Sequence, residues 1–156
     1  MGSTGHLAVR LTFTSALDMT DFVQVVGDHV SKLAGLDEDT LHWVNVAVRE
    51  CVINAIKHGN RQDADKRVFV DFEVRLDSGG RDLLIRVRDQ GEGFEFDEVA
   101  DPLAPENLLK ASGRGIFLIR NFMDDVQLRR PPEGGMEIVM KKRVSASGPA
   151  GDPVNA

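Results

Sequence analysis

Apolar residues recur along this chain with two different periods, and the alternation between them predicts the elements. From His6 to Thr14 every second residue is apolar (Leu7, Val9, Leu11, Phe13), the pattern of a half-buried strand. A helical spacing follows. Asp18 or Thr20 can cap a helix that runs to about Ala34, with Phe22, Val25, Val26, Val30 and Leu33 as its expected apolar face and Gly35 as its stop. Asp37 or Asp39 caps a second helix, which the spacing carries from Leu41 to Asn60. Its buried stripe is Leu41, Val44, Val48, Cys51, Val52 and Ala55, and Gly59-Asn60 ends it.

The period then returns to two. Val68 to Leu76 and Asp82 to Arg88 alternate around the turn Asp77-Ser78-Gly79-Gly80 and read as a hairpin. Phe94 to Ser112 has two prolines, many polar residues and no clear period, which predicts a loop. An apolar helix, Ile116 to Met123, opens after Gly113-Arg114-Gly115. Val126 to Arg130 and Met136 to Arg143 read as two further strands around the Pro131 to Gly135 turn. This order predicts an α+β chain: a two-layer sandwich with a mostly antiparallel, mixed sheet and helices on one face. With 156 residues one domain is expected, over 6–144, between a flexible leader at 1–5 and a small, polar, disordered tail at 145–156.

Charge and composition narrow the function. A net charge of -6 argues against general nucleic-acid binding. There is no apolar run of membrane-spanning length and no signal-peptide pattern. Cys51 is the only cysteine, so neither an internal disulfide nor a cysteine metal cluster is expected, and a reducing, cytoplasmic setting fits.

Candidate chemistry sits in three places. Glu50, Asn54 and His58 are four residues apart on the second helix and line up on one face, away from the buried stripe. A solvated helix face is the ordinary explanation of such a row. Asn, however, is a poor mid-helix residue, and beside a Glu it is easier to explain as part of a site for a hard cation with oxygen ligands. Asp89-Gln90-Gly91-Glu92-Gly93 ends a strand. It is either a plain glycine turn or a place where backbone approaches a flat ligand and a carboxylate accepts from an exocyclic amine. Ser112-Gly113-Arg114-Gly115 opens a helix, and is either a hinge or a phosphate cradle of exposed N–H groups.

The ordered trio resembles a known family, the ATP-binding domain shared by gyrase B, the Hsp90 chaperone, histidine kinases and the MutL proteins (the Bergerat fold). Within it the chain is most similar to the small anti-sigma-factor serine kinases of bacteria, over about Leu7 to Arg143. Glu50-x-x-x-Asn54-Ala55 with His58-Gly59 resembles the family's N box, and Asp89-x-Gly91-x-Gly93-Phe94 its first glycine box. Gly113-Arg114-Gly115-Ile116, with the helix that follows, resembles the second. Family members often carry a Thr after the glycine of the last hairpin, where this chain has Gly134-Gly135-Met136.

The resemblance implies ATP and Mg²⁺ as cofactors, with Asn54 the metal ligand and Glu50 the catalytic base. Asp89, with Gly91, Gly93 and Phe94, would take the adenine side. Ser112, Gly113, Arg114, Gly115 and Ile116 would take the phosphates, and His58 would stand beside them. Phe94 to Ser112 would be the ATP lid. It implies a serine/threonine kinase that phosphorylates an anti-sigma-factor antagonist of the STAS type, with a sigma factor as a further partner and a homodimer as its assembly, and with neither nucleic acid nor membrane as a partner. Two alternatives share the fold: a nucleotide-dependent binding module without kinase activity, and a stand-alone histidine-kinase-like catalytic domain.

Overall fold

The structure, a computed structural model, describes residues 6–91 and 115–145. The leader, the tail after Ser145, the expected lid and the site candidates Gly93, Phe94, Ser112, Gly113 and Arg114 lie outside the described residues.

The elements follow the predicted order: β1 (His6–Thr14), α1 (Met19–Ala34), α2 (Glu38–Asn54), a π-helical turn (Ala55–Gly59), β2 (Arg67–Asp77), β3 (Gly80–Arg88), α3 (Gly115–Phe122), β4 (Asp125–Arg129) and β5 (Glu137–Ser145). The strands make one sheet of order β1-β2-β3-β5-β4. Every pairing is antiparallel, so the expected mixed character is absent among the described residues. Each pairing joins strands whose polar and apolar rows coincide, which fixes the register. Val70, for instance, lies beside Leu11 on one side and Val87 on the other.

One face of the sheet is covered. Val68, Val70, Phe72 and Val74 of β2 and Leu83, Ile85 and Val87 of β3 are buried under α1 and α2, and α3 packs on α2. Burying side chains of this size contributes about 1.5–3 kcal/mol each, which makes this layer the main source of stability. The opposite rows are charged: Arg86 to Glu73 and Arg143 to Asp82 tie neighbouring strands, and Arg75 pairs with Glu73 along β2.

The second helix presents the expected stripe, with Leu41, Val44, Val48, Cys51, Val52 and Ala55 all buried. Its cap is Asp37, whose Oδ1 accepts from the Thr40 N–H at 2.8 Å. The α-helix ends at Asn54, however, and the remaining residues to Gly59 widen into the π-turn.

The first helix corrects the expected face. Val30 is buried, but Phe22, Val25 and Leu33 are 50%, 68% and 45% exposed. The buried row is Thr20, Val23, Gly27, Val30, Ser31 and Ala34. Close approach decides this: a Cβ on Gly27 would lie 3.2 Å from the Phe72 ring. Small residues let α1 settle onto the sheet and α2, and that contact outweighs burial of the larger side chains on its flank.

Candidate nucleotide-binding site

The site forms where α2 meets the end of β3. Asn54 closes the α-helix, half-buried, and its side chain has no hydrogen-bond partner among the described residues. Glu50 lies one turn earlier and is also half-buried. Beyond Asn54 the helix widens, because the Asn60 N–H reaches five residues back to the Ala55 carbonyl at 2.8 Å. His58, within the wider turn, is exposed, and of the expected row of three only Asn54 lines the cleft.

The π-turn sets Gly59 directly on Asp89. A Cβ on Gly59 would fall 2.0 Å from the Asp89 Oδ2, one on Gly91 would fall 1.8 Å from the Gly59 carbonyl oxygen, and one on Gly135 would fall 1.9 Å from the Asp89 carbonyl oxygen. Three backbone segments therefore touch at one carboxylate, and each contact requires the missing side chain. Asp89 is 5% exposed. Its Oδ1 accepts from the Gly91 N–H at 2.9 Å and the Met136 N–H at 3.2 Å. Burial pushes its carboxyl above the usual range, against the pull of those two N–H groups and of Arg88 and Lys66.

Asn54 and Asp89 share a small cleft open to solvent. Its other walls are Cys51, Ala55, Val87, Leu128, Met136 and Ile138. A mostly apolar cleft with two convergent polar side chains suits a flat ligand with one donor edge and one charged end. Asn54 offers a free amide oxygen of the kind that can join substrate phosphates and water around Mg²⁺. Among the described residues no three His, Cys, Asp or Glu side chains gather as a metal cage, and Mg²⁺ rarely needs one. Cys51 faces the cleft but is inert: burial holds its thiol far above the usual range, and its Sγ lies 3.8 Å from the Met140 sulfur. Of the phosphate-side candidates, Gly115 and Ile116 are described, as the first turn of α3.

The sequence profile of the histidine kinase-like ATPase domain matches residues 13–142, which takes in the whole cleft. The chain belongs to this family. Among curated members, the anti-sigma F factor of Oceanobacillus iheyensis is 33% identical over 145 residues, covering 89% of this chain and 94% of that protein. The anti-sigma F factor of Bacillus subtilis is 32% identical with the same coverage. The serine-protein kinase RsbW of Listeria innocua is 26% identical over 149 residues, 92% of this chain and 91% of that one.

Within this histidine kinase-like ATPase domain, several contributors escaped the sequence reading. Met136 supplies an N–H to Asp89 and a wall to the cleft, and its signal was the Gly134-Gly135 pair before it. Leu128 and Ile138 line the cleft from β4 and β5, and their alternation marked them only as core. Asn60 was read as a helix stop, yet it is fully buried and its side chain bonds to three other segments.

Proposed function

We propose that this chain is an ATP-dependent protein serine/threonine kinase and partner-switching regulator, which phosphorylates a small anti-sigma-factor antagonist protein and binds a sigma factor in the cytoplasm. Relatives named anti-sigma F factor and serine-protein kinase over nearly the full chain support it. The observation that carries it is the convergence of Asn54 and Asp89 in one apolar cleft, with Glu50 on the turn before Asn54.

Each residue has a definite task on this reading. Asp89, with Oδ1 held by two backbone N–H groups, accepts from the adenine amino group. Cys51, Ala55, Val87, Leu128 and Ile138 exclude water from the base. Asn54 would hold Mg²⁺ through its amide oxygen, and the ion would neutralise phosphate charge when bound. The N-terminus of α3, with Gly113 before it, donates N–H groups to the phosphates. Glu50 takes the proton of the partner's Ser or Thr hydroxyl as that oxygen bonds to the γ-phosphorus; the bond from phosphorus to the bridging oxygen breaks and ADP leaves.

A homodimer is part of the proposal. Among the described residues no strand lies beside the outer edge of β1, and Leu7, Phe22, Val25 and Leu33 are exposed on β1 and α1. An unpaired edge flanked by apolar side chains suits a second copy of the same edge, which would satisfy its backbone and cover its flank. Among the described residues no helix is long and apolar enough to cross a membrane.

The test is incubation with labelled ATP, Mg²⁺ and candidate antagonist proteins from the same genome. Phosphoserine or phosphothreonine on one of them is expected. Glu50→Gln should retain ATP and partner binding and lower phosphorylation by about 10²–10⁴-fold, the scale of a lost general base. Asn54→Ala should weaken Mg²⁺-dependent ATP binding. A nucleotide-dependent partner affinity without phosphorylation of any candidate would instead identify a binding module.

A further inference from the structure

We infer that Asn60 is a positioning residue for the nucleotide cleft: it touches no cleft surface, and it fixes the Asp89–Gly91 turn through the Gln90 N–H. The inference rests on the assignment of Asp89 to adenine.

Asn60 is 0% exposed, and both its Nδ2 donors and its Oδ1 are bonded to protein. Its Nδ2 donates to the Ser15 Oγ at 2.6 Å and to the Arg67 carbonyl oxygen at 2.9 Å. Its Oδ1 accepts from the Gln90 N–H at 2.8 Å. Gln90 closes the ring, because its Oε1 accepts from the Arg67 N–H at 2.8 Å. One amide thus joins the end of the π-turn, the segment after β1, the start of β2 and the turn after β3.

Helix termination alone does not need this arrangement. The backbone of Asn60 already ends the π-turn through Ala55. The next two residues, Arg61 and Gln62, both adopt left-handed backbone, with φ of 54° and 58°. Non-glycine residues rarely do so, and two in succession persist only where surrounding contacts hold them. The contacts in place are the Gln62 N–H donating to the Ile56 carbonyl oxygen at 2.7 Å, the Asp63 N–H donating to the Asn60 carbonyl oxygen, the Asn60 ring and the Gly59 seat on Asp89. Gln90 follows Asp89 and precedes Gly91, so the Asn60 Oδ1 is tied to the peptide that joins the carboxylate to its own N–H donor. Loss of that tie leaves the Gln90 N–H free to turn, and the Asp89 carboxylate with it.

The expected readout is base selectivity. ATP carries an amino group that Asp89 can accept from, and inosine triphosphate carries a carbonyl oxygen in its place. Calorimetry with each nucleotide and Mg²⁺ gives the ratio of the two affinities. In Asn60→Ala the ratio should fall about tenfold, which is one well-aligned charged hydrogen bond. Asn60→Asp keeps the acceptor for Gln90, and the Ser15 hydroxyl can reverse to donate to it, but its second oxygen faces the buried Arg67 carbonyl oxygen; it should therefore lower the melting temperature while the ratio stays within about threefold of wild type. Ser15→Ala removes a partner on the other side of the amide and should lower the melting temperature with the ratio intact. Gln90→Ala removes the exposed side chain that accepts from Arg67 but keeps the Gln90 N–H and its bond to Asn60, so the ratio should stay within about threefold of wild type. Asn60→Ser is the milder change where Asn60→Ala does not fold: its side chain is one atom shorter, withdraws the oxygen from the Gln90 N–H, and should lower the ratio about threefold or more.

Unchanged selectivity in Asn60→Ala, or in Asn60→Ser where Asn60→Ala is unfolded, would overturn the inference and leave the kinase reading standing. A wild-type protein that does not prefer ATP to inosine triphosphate would overturn the Asp89 assignment and this inference together.

Discussion

Two carboxylates of one hairpin, Glu73 on β2 and Asp89 just past β3, stand in opposite surroundings. Glu73 lies on the open face of the sheet, 2.9 Å from Arg86 Nη1, 2.9 Å from His6 Nε2 and 3.1 Å from Arg75 Nη2. The Arg86 hydrogen bond first, then His6, holds its carboxyl down to about 2. Asp89 lies at the sheet's end under three glycine contacts, where burial pushes its carboxyl up. Glu73 is paired with the guanidinium groups of Arg75 and Arg86, so its charge serves the fold. Asp89 is held by neutral N–H groups and faces a cleft, so its charge remains available to a ligand.

The largest expected effect falls on the Asp89 side. Gly91→Ala forces a Cβ to within 1.8 Å of the Gly59 carbonyl oxygen, backbone against backbone. A cost of about 3 kcal/mol, the upper end of ordinary overpacking, should lower the denaturation midpoint and with it nucleotide binding. A midpoint equal to wild type would show that the two segments separate freely.

Glu73→Gln should cost about 1–3 kcal/mol of stability, the scale of hydrogen bonds to a charged group, and leave ATP affinity unchanged. Urea unfolding with a parallel nucleotide titration checks both halves. A fall in affinity without a fall in stability would erase the contrast between the two sites.

Acid should separate the two carboxylates in order. The Glu73 carboxyl is depressed from 4.5 to about 2, so its stabilisation is present above pH 4.5 and is lost as pH falls toward 2. Asp89 is raised above 3.8, so it protonates at higher pH, loses its charge and becomes a weaker acceptor there. Nucleotide affinity should therefore decline with acidification before the Glu73-dependent part of stability does. The reverse order in titrations of wild type and Glu73→Gln would contradict the assigned environments. The smallest effect is a gain: Gln62→Gly relieves a left-handed residue and should raise stability by about 0.5–1 kcal/mol.

The contrast between these two carboxylates also marks what the chain displays in its order. Strand alternation and the α2 stripe were legible because they are periodic, and they placed Val70, Phe72, Leu83 and Val52 in the core. The inner face of α1 was not, because Gly27 and Ala34 carry little hydrophobic signal and are buried through close approach. The π-turn was invisible as well, since one residue of widening hardly disturbs the spacing of Val52, Ala55 and Ile56. It nevertheless decides that Gly59 meets Asp89. The meeting of Asn54 with Asp89 was expected only through family resemblance, because no local pattern ties residues so far apart. Asn60 escaped for the same reason: its partners Ser15 and Gln90 are 45 and 30 residues away.

The most direct measurement is a calorimetric titration of ATP with Mg²⁺ into wild type, Asp89→Asn and Glu73→Gln under conditions where all three are folded. Asn at position 89 substitutes an amide that also donates for an acceptor-only carboxylate. The account predicts a loss of about 1–3 kcal/mol, roughly 5- to 150-fold, for Asp89→Asn and wild-type affinity for Glu73→Gln. Equal ATP affinity in wild type and Asp89→Asn would contradict it and remove Asp89 from the site.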